Sequence, residues 1–300
     1  MSTSLPSSPS RPAVDWTAIV AILVTVVGWA SAFPAIRAGL TSFGPIELGA
    51  LRFAIAAVPA GIFLLVTRPP LPQRSEIWRV LAGSIFTVTL YTALVNAGEL
   101  TVSAGAASFI VNVNPVITAG FAVWLLGERF GPVAWVGTAL SFGGIGLIAL
   151  GESDAGASDL NLGALFLLAA ALCASIGTIA QKPLFARHRA LTVAAWTMVI
   201  GAICLAPALP RALEQAAGAT PGALIATAFL GLVPGAIAYG AWAVVLSRLP
   251  ASRASNILYC VPPVATLMGF LALGEEVTGA GILGGVLALA GVALVNRRGR

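Results

Sequence analysis

The chain has 300 residues, 58% of them hydrophobic and only 9% charged, with a formal net charge of +5 and a mean hydropathy of +0.97. A soluble domain carries about a quarter charged residues, so this composition excludes a water-facing globule and makes lipid the solvent for most of the chain. The positive charge does not indicate nucleic acid, because the Lys and Arg residues are spread over short loops and form no basic stripe.

Residues 1–15 are rich in Ser and Pro, carry only Arg11 as a base and have no apolar run. They read as a disordered cytoplasmic tail without a cleaved signal peptide. A membrane-crossing helix takes about 20 mostly apolar residues. The stretches that qualify are 16–36, 45–67, 77–98, 103–126, 131–150, 161–181, 191–209, 222–246, 252–273 and 279–296. Turn and helix-start residues such as Gly44, Pro45, Pro69, Pro70, Pro132 and Pro250 punctuate them. The predicted fold is an all-α integral membrane protein of ten transmembrane helices. Cys173, Cys204 and Cys260 lie in apolar stretches without metal-type spacing and read as packing residues.

Orientation follows from the basic residues. With the N-terminus in the cytoplasm, the inner segments hold Arg11, Arg68, Arg74, Arg79, Arg129, Lys182, Arg187, Arg189, Arg248, Arg253, Arg297, Arg298 and Arg300. The outer loops then hold only Arg37 and Arg211. The Lys/Arg bias sets topology, so both termini are expected in the cytoplasm of a multi-pass inner-membrane protein. His188, the only histidine, lies between Arg187 and Arg189 and reads as part of this inner-surface anchor.

Residues 107–148 are echoed by 254–295 at a constant shift of 147 positions. Pro115 falls on Pro262, Gly127 and Glu128 fall on Gly274 and Glu275, and Gly137 and Gly144 fall on Gly284 and Gly291. Each half has five spans, an odd number, so the second half enters the membrane from the opposite side. The units are 16–150 and 161–296, and their relation is an inverted repeat with a substrate cavity where they meet.

Polar groups in lipid are costly and point inward. Ser108, Asn112 and Pro115 share one helical face; Asn256 and Tyr259 share another. Pro115 frees the carbonyl of Val111 and Pro262 that of Leu258, giving kinked or gating helices with exposed acceptors. The candidate substrate-binding set is Trp29, Ser31, Tyr91, Ser108, Asn112, Ser175, Tyr239, Trp242, Asn256 and Tyr259. For the Asn and Ser residues the competing role is bonding between helices; for the aromatic residues it is an interfacial belt. Arg52, Glu128 and Glu275 read as structural or gating charges. No acid is placed at the membrane midplane, and Glu99 closes its span near the outer surface. The expectation is therefore facilitated diffusion or exchange, without a proton carrier.

Four motifs together carry a family resemblance. They are Gly28 to Arg37 (GWASAFPAIR), Glu47 to Phe53 (ELGALRF), Ala106 through Asn114 and Pro115 to Glu128, and Ser252 through Pro262 to Glu275. In these the chain resembles the ten-helix EamA-type members of the drug/metabolite transporter superfamily and, within it, is similar to the aromatic amino-acid exporters. The resemblance implies a basket of helices whose cavity is lined by spans 1, 3, 4, 6, 8 and 9, with spans 5 and 10 peripheral. It also implies outward movement of small metabolites by alternating access, amino acids first, with a multidrug, purine or sugar-like carrier as the alternative. An intramembrane enzyme is the remote alternative, since the lone histidine lies in a loop and no two acids share a helical face within a span. No catalytic residue, metal or cofactor is expected. The expected partners are a small-molecule substrate and lipid, and the chain is expected as a monomer or homodimer.

Overall fold

The computed structural model describes residues 16–114, 116–117, 121, 132–151, 162–248 and 258–297, and no strand occurs among them. Among these residues, six helices are long and apolar enough to cross a membrane. They are α1 (Trp16–Leu40), α2 (Pro45–Thr67), α3 (Arg74–Gly98), α6 (Leu162–Ala186), α7 (Ala190–Gly218) and α8, whose apolar span is Pro221–Trp242. The other helices are α4 (Ala104–Val111), α5 (Pro132–Gly151), α9 (Leu258–Leu273) and α10 (Gly279–Arg297). Large apolar side chains such as Val20, Leu23, Val58, Ile62, Leu65, Ile225 and Leu271 are exposed on the bundle's outside. A surface of that kind belongs against hydrocarbon.

Several helices depart from regularity where the sequence dictates it. Pro34 lacks an N–H, and α1 breaks at Ser31 three residues earlier, between Trp16–Ala30 and Ala32–Leu40. Around Pro207 the helix α7 tightens to a 3-10 turn at Ala206–Ala208, then continues to Gly218 rather than stopping near residue 209. Two π turns interrupt the ladder, Ile85–Leu90 in α3 and Gly231–Ile237 in α8, the latter containing Pro234.

The helices pair in a regular pattern: α5 on α10, α2 on α7, α3 on α6, α1 on α8 and α4 on α9. Exchanging each helix for the one five places on leaves that list unchanged. The α5–α10 contact is the most extensive. There Ser141 donates from its Oγ to the carbonyl of Ala288, 147 positions away, at 3.0 Å. A Cβ on Gly144 would lie 2.5 Å from the Gly284 carbonyl, and one on Gly284 would lie 2.5 Å from the Gly144 carbonyl. Only glycine permits that approach, and close backbone contact is what binds helices in lipid. The small faces of α5 and α10 thus pack within one chain.

Gly144→Leu is therefore expected to overpack the α5–α10 seam, at a cost of about 1–3 kcal/mol. Gly143, where an added Cβ would meet nothing within 4 Å, is the control. The apparent Tm in detergent should fall for Gly144→Leu and hold for Gly143→Leu; equal Tm values for the two variants would refute the seam.

Candidate functional site

At one end of the bundle, three helices are tied by a single ion pair. Gly274, at φ 66°, ends α9 in the left-handed conformation, and its N–H bonds the Phe270 carbonyl. The turn presents Glu275 to its neighbours. Its Oε1 lies 3.1 Å from Nε of Arg37 at the end of α1. Both its oxygens accept from the N–H of Ala104, at 3.0 and 3.1 Å. That amide is one of the unpaired donors at the N-terminus of α4, where a carboxylate also meets the favourable end of the helix dipole. Arg37 Nη1 donates to the carbonyls of Val102 at 2.7 Å and Glu99 at 3.2 Å. Beside this closure, Gly44 N–H donates to Gln215 Oε1 at 3.0 Å, and Arg211 stands 3.5 Å from Glu47. The latter pair is exposed on the arginine side and contributes little.

Beneath the closure lies a buried group of polar residues. Arg52 on α2 is 9% exposed, and its Nε has no hydrogen-bond partner among the described residues. Glu99, at the end of α3, is 1% exposed, and neither carboxylate oxygen has a partner among them. Asn96 donates from Nδ2 to the Pro45 carbonyl at 2.7 Å, while its Oδ1 is unpartnered. Tyr239, Tyr91 and Glu99 all lie close enough to Arg52 for their fields to act on it. Trp29 packs edge-on to Tyr239 at 5.3 Å between centroids and against Trp242 at 5.4 Å.

The structure thus brings Trp29, Tyr239 and Trp242 into contact and sets Tyr239 and Tyr91 near Arg52, while Tyr91 and Tyr259 both pack on the main apolar core. The predicted hydroxyl and amide groups are placed differently. Ser31 donates to the Gly28 carbonyl, Ser108 to Gly105 and Asn112 Nδ2 to Ser108. Ser175 donates to Ala171 and reaches Asn114 Oδ1 at 3.1 Å. These groups are consumed by their own helices or by a neighbour. The helix α4 ends at Val111, with tight bonds from Val113 to Ile110 and from Val116 to Val113, close before Pro115 in sequence. Pro262 follows a 3-10 turn, Leu258–Cys260, and stands in the first turn of the regular helix, where a missing N–H costs nothing. Pro115, Glu128 and Asn256 lie outside the described residues.

Glu99 was missed by sequence reasoning because an acid closing a span reads as a loop residue. It is near the bundle's end, but it is not on its surface. The sequence reading places Glu99 at the close of its span near the outer surface; the structure keeps it at the end of α3 but leaves it 1% exposed. The His188 side chain is only 7% exposed, with Nε2 3.2 Å from Glu76 and its ring edge-on to Trp196 at 4.9 Å. It joins α3 to the α6–α7 connection rather than decorating the surface. A cleft of about 440 Å³ lined by Pro45, Ala93, Ala97, Arg211 and Gln215 opens at the Glu275 end; none of the predicted binding residues lines it.

An apolar helical bundle that encloses a cation, an acid and aromatic rings beneath an ion-paired end has the makings of a membrane carrier. The chain belongs to the EamA-like transporter family, whose model matches it twice, over residues 16–150 and 161–297. It is similar to a probable terminal-alkyne amino-acid exporter of Streptantibioticus cattleyicolor, 36% identical over 94% of each chain. It is also similar to an uncharacterized transporter, YdfC, of Bacillus subtilis, 34% identical over 88% of this chain and 86% of the relative. A probable amino-acid metabolite efflux pump of Escherichia coli is 28% identical over 91% of this chain and 92% of its own. A solved crystal structure superposes with a TM-score of 0.60 over 95% of this chain and 96% of that one, at 22% identity, and speaks for the fold alone.

The closure predicts energetic coupling between α1 and α9. In a double-mutant cycle of Arg37→Ala and Glu275→Ala, a coupling of about 1 kcal/mol is expected. Thermal unfolding in detergent measures it, and strictly additive effects would show that the pair does not hold the end together.

Proposed function

We propose that the protein is a secondary transporter that exports amino acids, neutral and aromatic ones foremost, across the inner membrane by alternating access. The observation that carries this reading is the group of buried Arg52 and Glu99 with half-buried Tyr91 and Tyr239 inside the bundle of a transporter-family protein. Charged groups held in a membrane interior serve a pathway by default. Aromatic faces accept rings and cations. The names of the Streptantibioticus and Escherichia coli relatives favour amino acids as cargo.

The proposed scaffold is ten helices in two inverted halves. Its supports are the pairing pattern, the Ser141–Ala288 contact across 147 positions, and the two π turns, which begin 146 positions apart in α3 and α8. The bias of basic residues supports cytoplasmic termini, and it makes the Glu275 end the outer one. The Arg37–Glu275–Ala104 closure then seals the outer side, and export requires it to part while the halves rock.

Uptake of radiolabelled Phe, Trp, Met and Thr into liposomes holding the purified protein tests the reading. Saturable flux is expected. Trp29→Leu should raise the half-saturation concentration for Phe about threefold to tenfold, and that for Thr much less. Absence of flux for every amino acid would overturn the assignment of cargo.

A further inference from the structure

We propose that Arg52 and Glu99 are the two ends of a head-group site for an α-amino acid, the guanidinium taking the carboxylate and Glu99 taking the ammonium. The inference rests on the amino-acid reading above and adds the atoms that recognise the substrate.

Both side chains are at least nine-tenths buried, and each retains unused bonding capacity, at Nε of Arg52 and at both oxygens of Glu99. Leaving a buried charge unbonded is among the costlier things a protein does. Here a guanidinium and a carboxyl group lie within range of each other, yet they form no ion pair. Their spacing explains why. The bond from Asn96 to Pro45 places the end of α3 beside the start of α2, so the two helices run antiparallel. Gly49 lies level with Thr92 and Asn96, since a Cβ there would sit 2.9 Å from Thr92 Cγ2 and 3.7 Å from Asn96 Nδ2. Arg52 is three residues from Gly49 in one direction, and Glu99 is five residues past the midpoint of Thr92 and Asn96 in the other. The two Cα positions are therefore offset by roughly 12 Å along the helices, at 1.5 Å per residue.

The two side chains end on atoms without a partner and do not pair with each other, which leaves both ends to a third group. An α-amino acid head group with a hydrogen bond at each end spans about 9 Å. Its carboxylate suits the planar guanidinium fork. Its ammonium has three donors, and the acceptors are ready: two oxygens of Glu99 and Oδ1 of Asn96, one turn back on the same face of α3. Tyr91 and Tyr239, which flank Arg52, then border the side chain. The other charges that face Glu99 are Arg37 and Glu275, which are already engaged with each other in the closure.

The test is competition for radiolabelled L-phenylalanine binding to the purified protein, read by scintillation proximity, with two truncated competitors. L-phenylalaninamide keeps the ammonium and lacks the carboxylate; 3-phenylpropionate keeps the carboxylate and lacks the ammonium. Each should compete roughly 10- to 100-fold more weakly than phenylalanine, the value of one charge-assisted hydrogen bond. In Glu99→Gln, phenylalanine should fall to the level of 3-phenylpropionate, with the latter little changed. In Arg52→Gln it should fall to the level of the amide. Size-exclusion profiles check folding, and Glu99→Asp and Arg52→Lys should be intermediate. If the wild type binds phenylalanine but both analogues compete equally well, head-group recognition falls and needs no variant to fail. If the variants weaken phenylalanine and both analogues alike, the two residues are structural and the proposal is again overturned. If the wild type binds and carries no amino acid, the amino-acid reading itself has failed.

Discussion

In hydrocarbon, a hydroxyl, amide or charge that does not reach another polar group costs several kcal/mol. That constraint sorts the polar residues of this chain into two groups. The hydroxyls of Thr25, Ser84, Ser108, Ser141 and Thr227 are buried and bonded to backbone carbonyls, four of them within their own helix and Ser141 across to α10. They keep the helices self-sufficient. Arg52, Asn96 and Glu99 are as deeply buried but retain unbonded atoms. The first group builds the bundle. The second keeps bonding capacity that the helices do not use.

The scaffold and the site differ in symmetry. Helix pairing, the glycine seam and the π turns all follow the shift of 147 positions, the π turns to within a residue. At that shift Arg52 falls on Val199, Asn96 on Ala243 and Glu99 on Leu246, so none of the three polar residues has a polar counterpart. The tyrosines are intermediate. Tyr91 directly follows the first π turn, and Tyr239 comes two residues after the second. A π turn advances the ladder by one residue and rotates the helix beyond it, and such bulges gather at functional sites. A tyrosine thus follows each π turn closely, whereas Arg52, Asn96 and Glu99 all fall in the first hundred residues.

Much of the architecture was legible in the sequence because its signals do not depend on context. Apolar runs, and the Gly274–Glu275 turn that ends α9, constrain the backbone whatever surrounds them. Irregularities were legible only in part: Pro34 marks the break at Ser31, but nothing in the sequence stops α7 being read as ending near residue 209. The site was harder still. Asn112 and Asn96 are the same residue type within predicted spans, yet the amide of Asn112 is used by Ser108 while that of Asn96 anchors α2 and leaves an acceptor free. Helix rotation and neighbour spacing decide that, and neither is written in composition. Glu99 shows the same limit, since the line between a loop acid and an interior one is drawn by where Arg37 and α4 come to rest.

That placement makes Glu99 a joint between the closure and the interior. Its backbone carbonyl accepts from Arg37, which in turn is paired with Glu275 at the N-terminus of α4. Its carboxylate is buried on the inner side with Asn96 and within the field of Arg52. One residue therefore contributes to two structures through two different atoms. Parting α9 from α1 would break the Arg37–Glu275 pair and leave the Arg37 guanidinium on the carbonyls of Glu99 and Val102 alone. The field at the buried Glu99 carboxyl would change with it, since Arg37 and Glu275 both act there. Rigid helices packed at glycine seams do not absorb such a change locally, so the environment of the buried acid and the state of the closure change together.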